Sequence, residues 1–151
     1  MKRQIRRNTF ETNSSSVHTL AFDKSGRKPS ILPLNTNNEV VVYMREFGKD
    51  FRYYTTQEEK LSYLITCCKY IARGFDNESI YDTYEFKKIR DVLIDYIPGC
   101  TGVEICGFYD DGAIDHQSQP YGDFEIINIY DDDQIIDFIF NDYVMLKTDC
   151  D

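Results

Sequence analysis

The chain has 151 residues, of which 42% are hydrophobic and 15% aromatic, and its formal net charge is −9. A chain of this length buries enough surface to fold without a disulfide or a metal, and this composition excludes an intrinsically disordered protein. No apolar run approaches the roughly 18 residues of a membrane-spanning helix. The basic start MKRQIRR is followed by no apolar segment, which argues against a signal peptide.

The five cysteines include no pair with CxxC spacing. A zinc site or a disulfide framework is therefore not expected, and a reducing compartment is favoured. We expect a single α+β domain over residues 1–151 that stays in the cytoplasm where it is made.

The stretch FETNSSSVHTL at residues 10–20 places a polar cluster directly before the alternating residues 17–22. This pattern predicts a loop that leads into a strand. Asn and Ser side chains bond to nearby backbone groups, so one interpretation is a turn that caps itself. The other interpretation is a ligand cradle of hydroxyl and N–H groups with His18 beside it.

The next elements have clearer signals. The β-branched run EVVVYM at residues 39–44 predicts a buried strand. Thr56 and Glu59 match a capping box, and apolar residues then recur on one helical face until Gly74. The sequence therefore predicts an amphipathic helix at about residues 57–73.

A second helix is predicted at about residues 82–97, where an apolar stripe precedes Pro98 and Gly99. Residues 102–109 alternate and predict a strand, and the Asp110–Gly112 turn predicts a hairpin. The acidic run 131–133 before an apolar segment predicts a short C-terminal helix. Residues 143–147 predict a closing strand.

These elements predict a mostly antiparallel sheet with the two main helices (about 57–73 and 82–97) packed on one face. The charge is divided unevenly along the chain. Residues 110–151 hold twelve acids and one base, for −11, whereas residues 1–109 hold sixteen bases and fourteen acids, for +2. Such an acidic lobe repels nucleic-acid phosphates and favours a basic partner or a cation. The basic arm at residues 2–7 either pairs with this lobe or binds phosphate.

Both histidines lie in polar motifs, NSSSVH at residues 13–18 and DHQS at residues 115–118. If the two motifs converge, His18, His116 and Asp115 suit a divalent transition metal with open positions. A carboxylate beside a histidine also suits a general base for Ser15 or Ser16. The alternative is that each histidine caps a loop or completes a buried hydrogen-bond network.

The motifs FETNSSSVH at residues 10–18, IDHQS at residues 114–118 and the closing tyrosine strand ending TDCD resemble a group of small uncharacterised proteins. Phages and mobile elements of bacteria carry this group, which shares an N-terminal FETNSSSxH signature. The TDCD tail departs from the asparagine-rich ending of the group. The resemblance brings no established reaction. It implies a protein that acts on host machinery or counters host defence, including CRISPR effector nucleases.

We therefore predict a non-enzymatic inhibitory protein that binds a host protein with a basic surface, such as a nuclease, through an acidic, tyrosine-rich face. The predicted partner-binding residues are Tyr109, Asp110, Asp111, Tyr130, Asp131, Asp132 and Asp133.

The alternative function is a small metal- or nucleotide-binding enzyme, or a ligand sequestrant, built on the two histidine motifs. Its ligand-binding residues would be Asn13, Ser14, Ser15, Ser16, His18, Asp115 and His116. Its catalytic candidates are Ser15, Ser16, His18 and His116, and its metal ligands are His18, Asp115 and His116. In the favoured interpretation the protein needs no cofactor, whereas in the alternative it uses a divalent metal.

Overall fold

The computed structural model describes residues 9–11, 24–48, 52–74, 79–107, 113–114 and 127–148. Within these ranges the chain forms an α+β fold with three α-helices and seven short strands. The helices are α1 (Gln57–Gly74), α2 (Tyr84–Tyr96) and α3 (Asp132–Phe140). The strands are β1 (Thr9–Glu11), β2 (Glu39–Tyr43), β3 (Glu46–Phe47), β4 (Arg52–Tyr54), β5 (Gly102–Cys106), β6 (Ala113–Ile114) and β7 (Met145–Thr148).

The strands pair in small sheets rather than in one. Strand β2 pairs with β5 in parallel, with Glu39 opposite Gly102 and Tyr43 opposite Cys106. Strand β7 lies between β1, its parallel neighbour, and β4, its antiparallel neighbour, while β3 and β6 pair in parallel. The predicted mostly antiparallel sheet is therefore not confirmed among the described strands. Because α1 and α2 lie in the connection between β2 and β5, the chain re-enters that sheet in its original direction.

The predicted hairpin turn at Asp110–Gly112 lies outside the described residues. The strands on either side of it, β5 and β6, pair with β2 and β3 respectively. The local turn signal predicted strand partners close in sequence, whereas the partners seen here come from a distant part of the chain.

Helix α1 has the extent that the sequence predicts. The Thr56 N–H donates to Glu59 Oε1 (3.3 Å), and the Glu59 N–H donates to Thr56 Oγ1 (3.1 Å), which confirms the capping box. The prediction of a single buried face was too narrow, because Lys60, Ser62 and Thr66 are also buried. The helix contacts β2, α2 and α3, so little of its circumference is left to solvent.

Polar side chains of α1 are buried because they bond to backbone carbonyls. Lys60 Nζ donates to the carbonyls of Asn141 (3.2 Å) and Val144 (2.9 Å), and thereby ties α1 to the segment after α3. Thr66 Oγ1 donates to the carbonyl of Ser62 at 2.8 Å. Burial lowers the pKa of Lys60 from 10.5 to about 8.

Helix α2 begins at Tyr84, two residues later than Asp82, where the sequence predicts its start. Thr83 caps it, because Thr83 Oγ1 accepts from the Phe86 N–H at 3.2 Å. Residues 80–82 form a short 3-10 turn before this cap. The predicted apolar stripe is buried and packs into the common hydrophobic core with α1, α3 and the strands.

None of the helices in the described ranges combines the length and the apolar character needed to cross a bilayer. Cys67 and Cys68 are buried in α1, and neither forms a disulfide. A buried cysteine packs in a core as a small hydrophobic side chain does.

Candidate functional site

Most of the predicted site residues cannot be placed by the structure. Those outside the described residues are Asn13, Ser14, Ser15, Ser16, His18, Tyr109, Asp110, Asp111, Asp115 and His116. The convergence of the two histidine motifs, the Ser/His chemistry and the divalent-metal site therefore stay predictions. The structure does describe Tyr130 and the three aspartates that follow it.

The aspartate run forms the start of α3, as predicted. Asp131 is the N-cap residue, and its Oδ1 accepts from the Asp133 N–H at 3.0 Å. Carboxylates in the first turn also interact favourably with the positive end of the helix dipole. One of the three predicted docking carboxylates thus stabilises the helix on which the other two lie.

The other two aspartates hold ion pairs within the chain. Asp132 Oδ1 contacts Lys88 Nζ on α2. Asp133 contacts Arg27 Nη2 (3.0 Å) and Lys24 Nζ (3.3 Å), and these two cations lower the pKa of Asp133, with the Arg27 bond as the larger cause. The run is therefore not a bare acidic patch, because bases from two distant segments compensate its charge.

A second, interior ion pair lies farther along α3. Asp137 is 5% exposed, and its carboxylate accepts from Arg27 Nε (2.7 Å) and Arg27 Nη2 (3.2 Å). Asn141 Nδ2 also donates to Asp137 Oδ1, at 3.2 Å. Arg27 thus joins the segment before β2 to α3 through Asp133 and Asp137. A bidentate, hydrogen-bonded pair of this kind fixes geometry.

Tyr130 is held outward by the turn that precedes α3. Ile127 and Ile129 are buried, whereas Tyr130 is 67% exposed. The Tyr130 N–H donates to Asn128 Oδ1 (3.0 Å), and the Asn128 N–H donates to Gln134 Oε1 (2.9 Å). These bonds order the backbone on both sides of the ring, so Tyr130 is presented to solvent from a fixed position.

Tyr84 meets Tyr130 across the contact between α2 and α3. The ring centroids are 5.6 Å apart with an interplanar angle of 34°, and Tyr84 is itself 53% exposed. Lys88 follows Tyr84 by one helical turn and reaches Asp132. We define the Tyr84–Tyr130 surface as Tyr84, Lys88, Tyr130, Asp131 and Asp132. It combines exposed aromatic rings with carboxylates, a chemistry that suits a cationic side chain.

The sequence pattern points to Tyr130 and the aspartates but not to Tyr84, Lys88 and the paired bases Lys24 and Arg27. The i, i+4 spacing of Tyr84 and Lys88 places them on one helical face, which the sequence shows. It does not show that this face lies beside the start of α3, because that contact joins segments about forty residues apart.

An open groove of about 700 Å³ lies between the extended segment 28–34 and the end of α2. Leu32, Leu34 and Ile97 contribute to its apolar lining, and none of the predicted site residues is among its lining residues.

Comparison of the chain with protein-family models, with curated proteins and with solved structures finds no match.

Proposed function

We propose that this protein is a non-enzymatic inhibitory protein of phage or mobile-element type that acts by binding a host protein. Its partner presents a basic surface, as a nucleic-acid-binding nuclease such as a CRISPR effector does. Binding takes place in the bacterial cytoplasm, through an acidic, tyrosine-rich face that includes the Tyr84–Tyr130 surface. No cofactor is needed for this activity.

The observation that carries the proposal is the exposed tyrosine pair. The two rings lie side by side and are still 53% and 67% exposed, so a partner that covers them buries a continuous aromatic area. Tyrosine is enriched at the energetic centres of protein interfaces, where it supplies contact area and a hydrogen-bonding tip. The ordered backbone under both rings lowers the conformational entropy lost on binding.

The charge of the chain supports a basic partner. The net charge is −9, and the side chain of Asp132 is 56% exposed where it meets Lys88, one helical turn from Tyr84. Long-range attraction speeds the encounter with a basic groove, and carboxylates then occupy positions that phosphates would otherwise take. Their ion pairs with Lys24 and Lys88 are solvent-exposed, so a partner can replace them at small cost.

The test is a capture experiment on bacterial host lysate with the purified protein, at low and at high salt. Captured proteins are identified by mass spectrometry, and the nucleic-acid cleavage activity of each is then measured with and without the protein. We expect a nuclease that is captured at low salt, released at high salt and inhibited in cleavage. The double variant Tyr84→Ala/Tyr130→Ala should lose both capture and inhibition.

The matched control is Tyr43→Ala/Tyr53→Ala, which removes two other exposed tyrosines. Equal loss in both double variants would show that the effect is not specific to the Tyr84–Tyr130 surface. Capture that is insensitive to salt, or a captured nuclease that keeps full cleavage activity, would contradict the proposed function.

A further inference from the structure

We propose that Lys88 is an internal counter-ion that occupies, in the free protein, the position where an arginine of the partner binds. The inference rests on the proposed function and specifies its chemistry: the Tyr84–Tyr130 surface is an arginine-recognition site. Displacement of Lys88 from Asp132 accompanies binding.

Lys88 already demonstrates that this surface accommodates a cation. Its Nζ contacts Asp132 Oδ1, one helical turn beyond the ring of Tyr84. The Asp132 carboxylate raises the pKa of Lys88, and Asp91 adds a smaller contribution in the same direction. An ammonium group in this place is therefore stabilised by groups on both helices.

The Lys88–Asp132 pair is also easily exchanged. The side chains are 25% and 56% exposed, and an ion pair open to solvent contributes little to stability. Asp137, by contrast, is buried and bound by both Arg27 and Asn141. A partner cation can therefore replace Lys88 without disturbing the interior of α3.

Arginine fits the surface better than lysine. A guanidinium group stacks on an aromatic face and binds a carboxylate through two parallel N–H bonds, whereas an ammonium group is a compact and strongly hydrated point charge. The surface offers both elements, the exposed rings of Tyr84 and Tyr130 and the exposed carboxylate of Asp132. Lys88 lies one helical turn from Tyr84 and reaches Asp132, so one arginine in its place can meet both a ring and that carboxylate.

The test uses the full chain and two fluorescently labelled probes, an octa-arginine peptide and an octa-lysine peptide, with binding measured by fluorescence anisotropy at several salt concentrations. The two peptides carry equal charge, so a difference between them reports stacking and bidentate bonding. We expect the arginine peptide to bind about three- to tenfold more tightly, and this preference to disappear in Tyr84→Ala/Tyr130→Ala.

The second arm removes the internal cation. Lys88→Met should tighten binding of the arginine peptide about threefold, because no internal competitor then occupies Asp132. Lys87→Met is the matched control, since this exposed neighbour on the same helix removes the same charge. Asp132→Asn should weaken binding more than Glu58→Gln does, although both remove one negative charge from an exposed position.

Equal affinity for the two peptides would overturn the inference. So would equal tightening by Lys88→Met and Lys87→Met, because the effect would then come from total charge alone. These failures are separate from failure of the proposed function: a nuclease whose capture depends on the tyrosines but not on Lys88 would leave the inhibitory role intact and overturn the arginine site.

Discussion

Two of the ion pairs on helix α3 have opposite character. Near its middle, Asp137 is 5% exposed and bound by Arg27 and Asn141. At its start, the side chain of Asp132 is 56% exposed and meets only the flexible ammonium of Lys88 in the contacts described above. The same type of carboxylate on the same helix thus serves two purposes. The interior pair holds two segments in place, whereas the surface pair can be replaced by a group from another molecule.

The comparison is tested most strongly by removing the interior carboxylate. Asp137→Ala leaves Arg27 with Asp133 alone and takes a bonding partner from Asn141. We expect the free energy of unfolding to fall by about 2 kcal/mol, because the buried amide of Asn141 loses its acceptor while the partly buried Arg27 keeps Asp133. Urea unfolding monitored by circular dichroism measures this change. A loss below about 1 kcal/mol would mean that Asp137 contributes no more to stability than an exposed ion pair does, and the two pairs of α3 would then not differ.

Lys60 tests whether another buried ionisable side chain also affects the free energy of unfolding. Its pKa is about 8 in the folded protein and 10.5 in the unfolded chain, so the unfolded chain binds more protons between these values. The free energy of unfolding should therefore rise with pH from about 8 to 10.5, by up to about 3 kcal/mol. Below about pH 8 Lys60 is protonated in both the folded and the unfolded chain, so its ionisation no longer makes the free energy of unfolding depend on pH.

The control is Lys60→Met, measured at the same pH values. The free energy of unfolding of the wild-type protein minus that of the variant gives the contribution of Lys60, because the titration of tyrosines and other lysines cancels. A difference that stays flat across this range would show that Lys60 keeps its ordinary pKa, and that burial of its side chain does not affect its ionisation.

Removal of the Lys88–Asp132 surface pair should change the free energy of unfolding least. Asp132→Asn leaves the N-cap Asp131 and the Asp133 pairs in place, so we expect a change in the free energy of unfolding within about 0.5 kcal/mol. Urea unfolding beside Asp137→Ala gives the direct comparison. A loss as large as that of Asp137→Ala would mean that Asp132 is structural, and its exchange with a partner would then be too costly.

The sequence predicts those features whose causes are local. The capping box at Thr56 and Glu59, the apolar stripe of α2 and the acidic start of α3 each depend on residues within one or two turns. Element ends shifted by a residue or two, as at Tyr84, because Thr83 competes with earlier positions as the cap.

The parts that could not be predicted depend on contacts between distant segments. The parallel pairing of β2 with β5 follows from the path of the chain through two helices, which a strand pattern does not encode. The burial of Lys60 depends on carbonyls more than eighty residues away. In the same way, the acidic run was identified but its compensation by Lys24, Arg27 and Lys88 was not, because ion pairing between segments follows from tertiary packing.

The position of β7 has a consequence for how the chain is made. This strand is the middle member of its sheet, yet it comprises Met145–Thr148, and its parallel partner is Thr9–Glu11. During synthesis Thr9–Glu11 cannot pair until Met145–Thr148 has left the ribosome. Closing so long a loop is entropically slow. We therefore expect the sheet around β7 to assemble late, after α1 and its local contacts have formed.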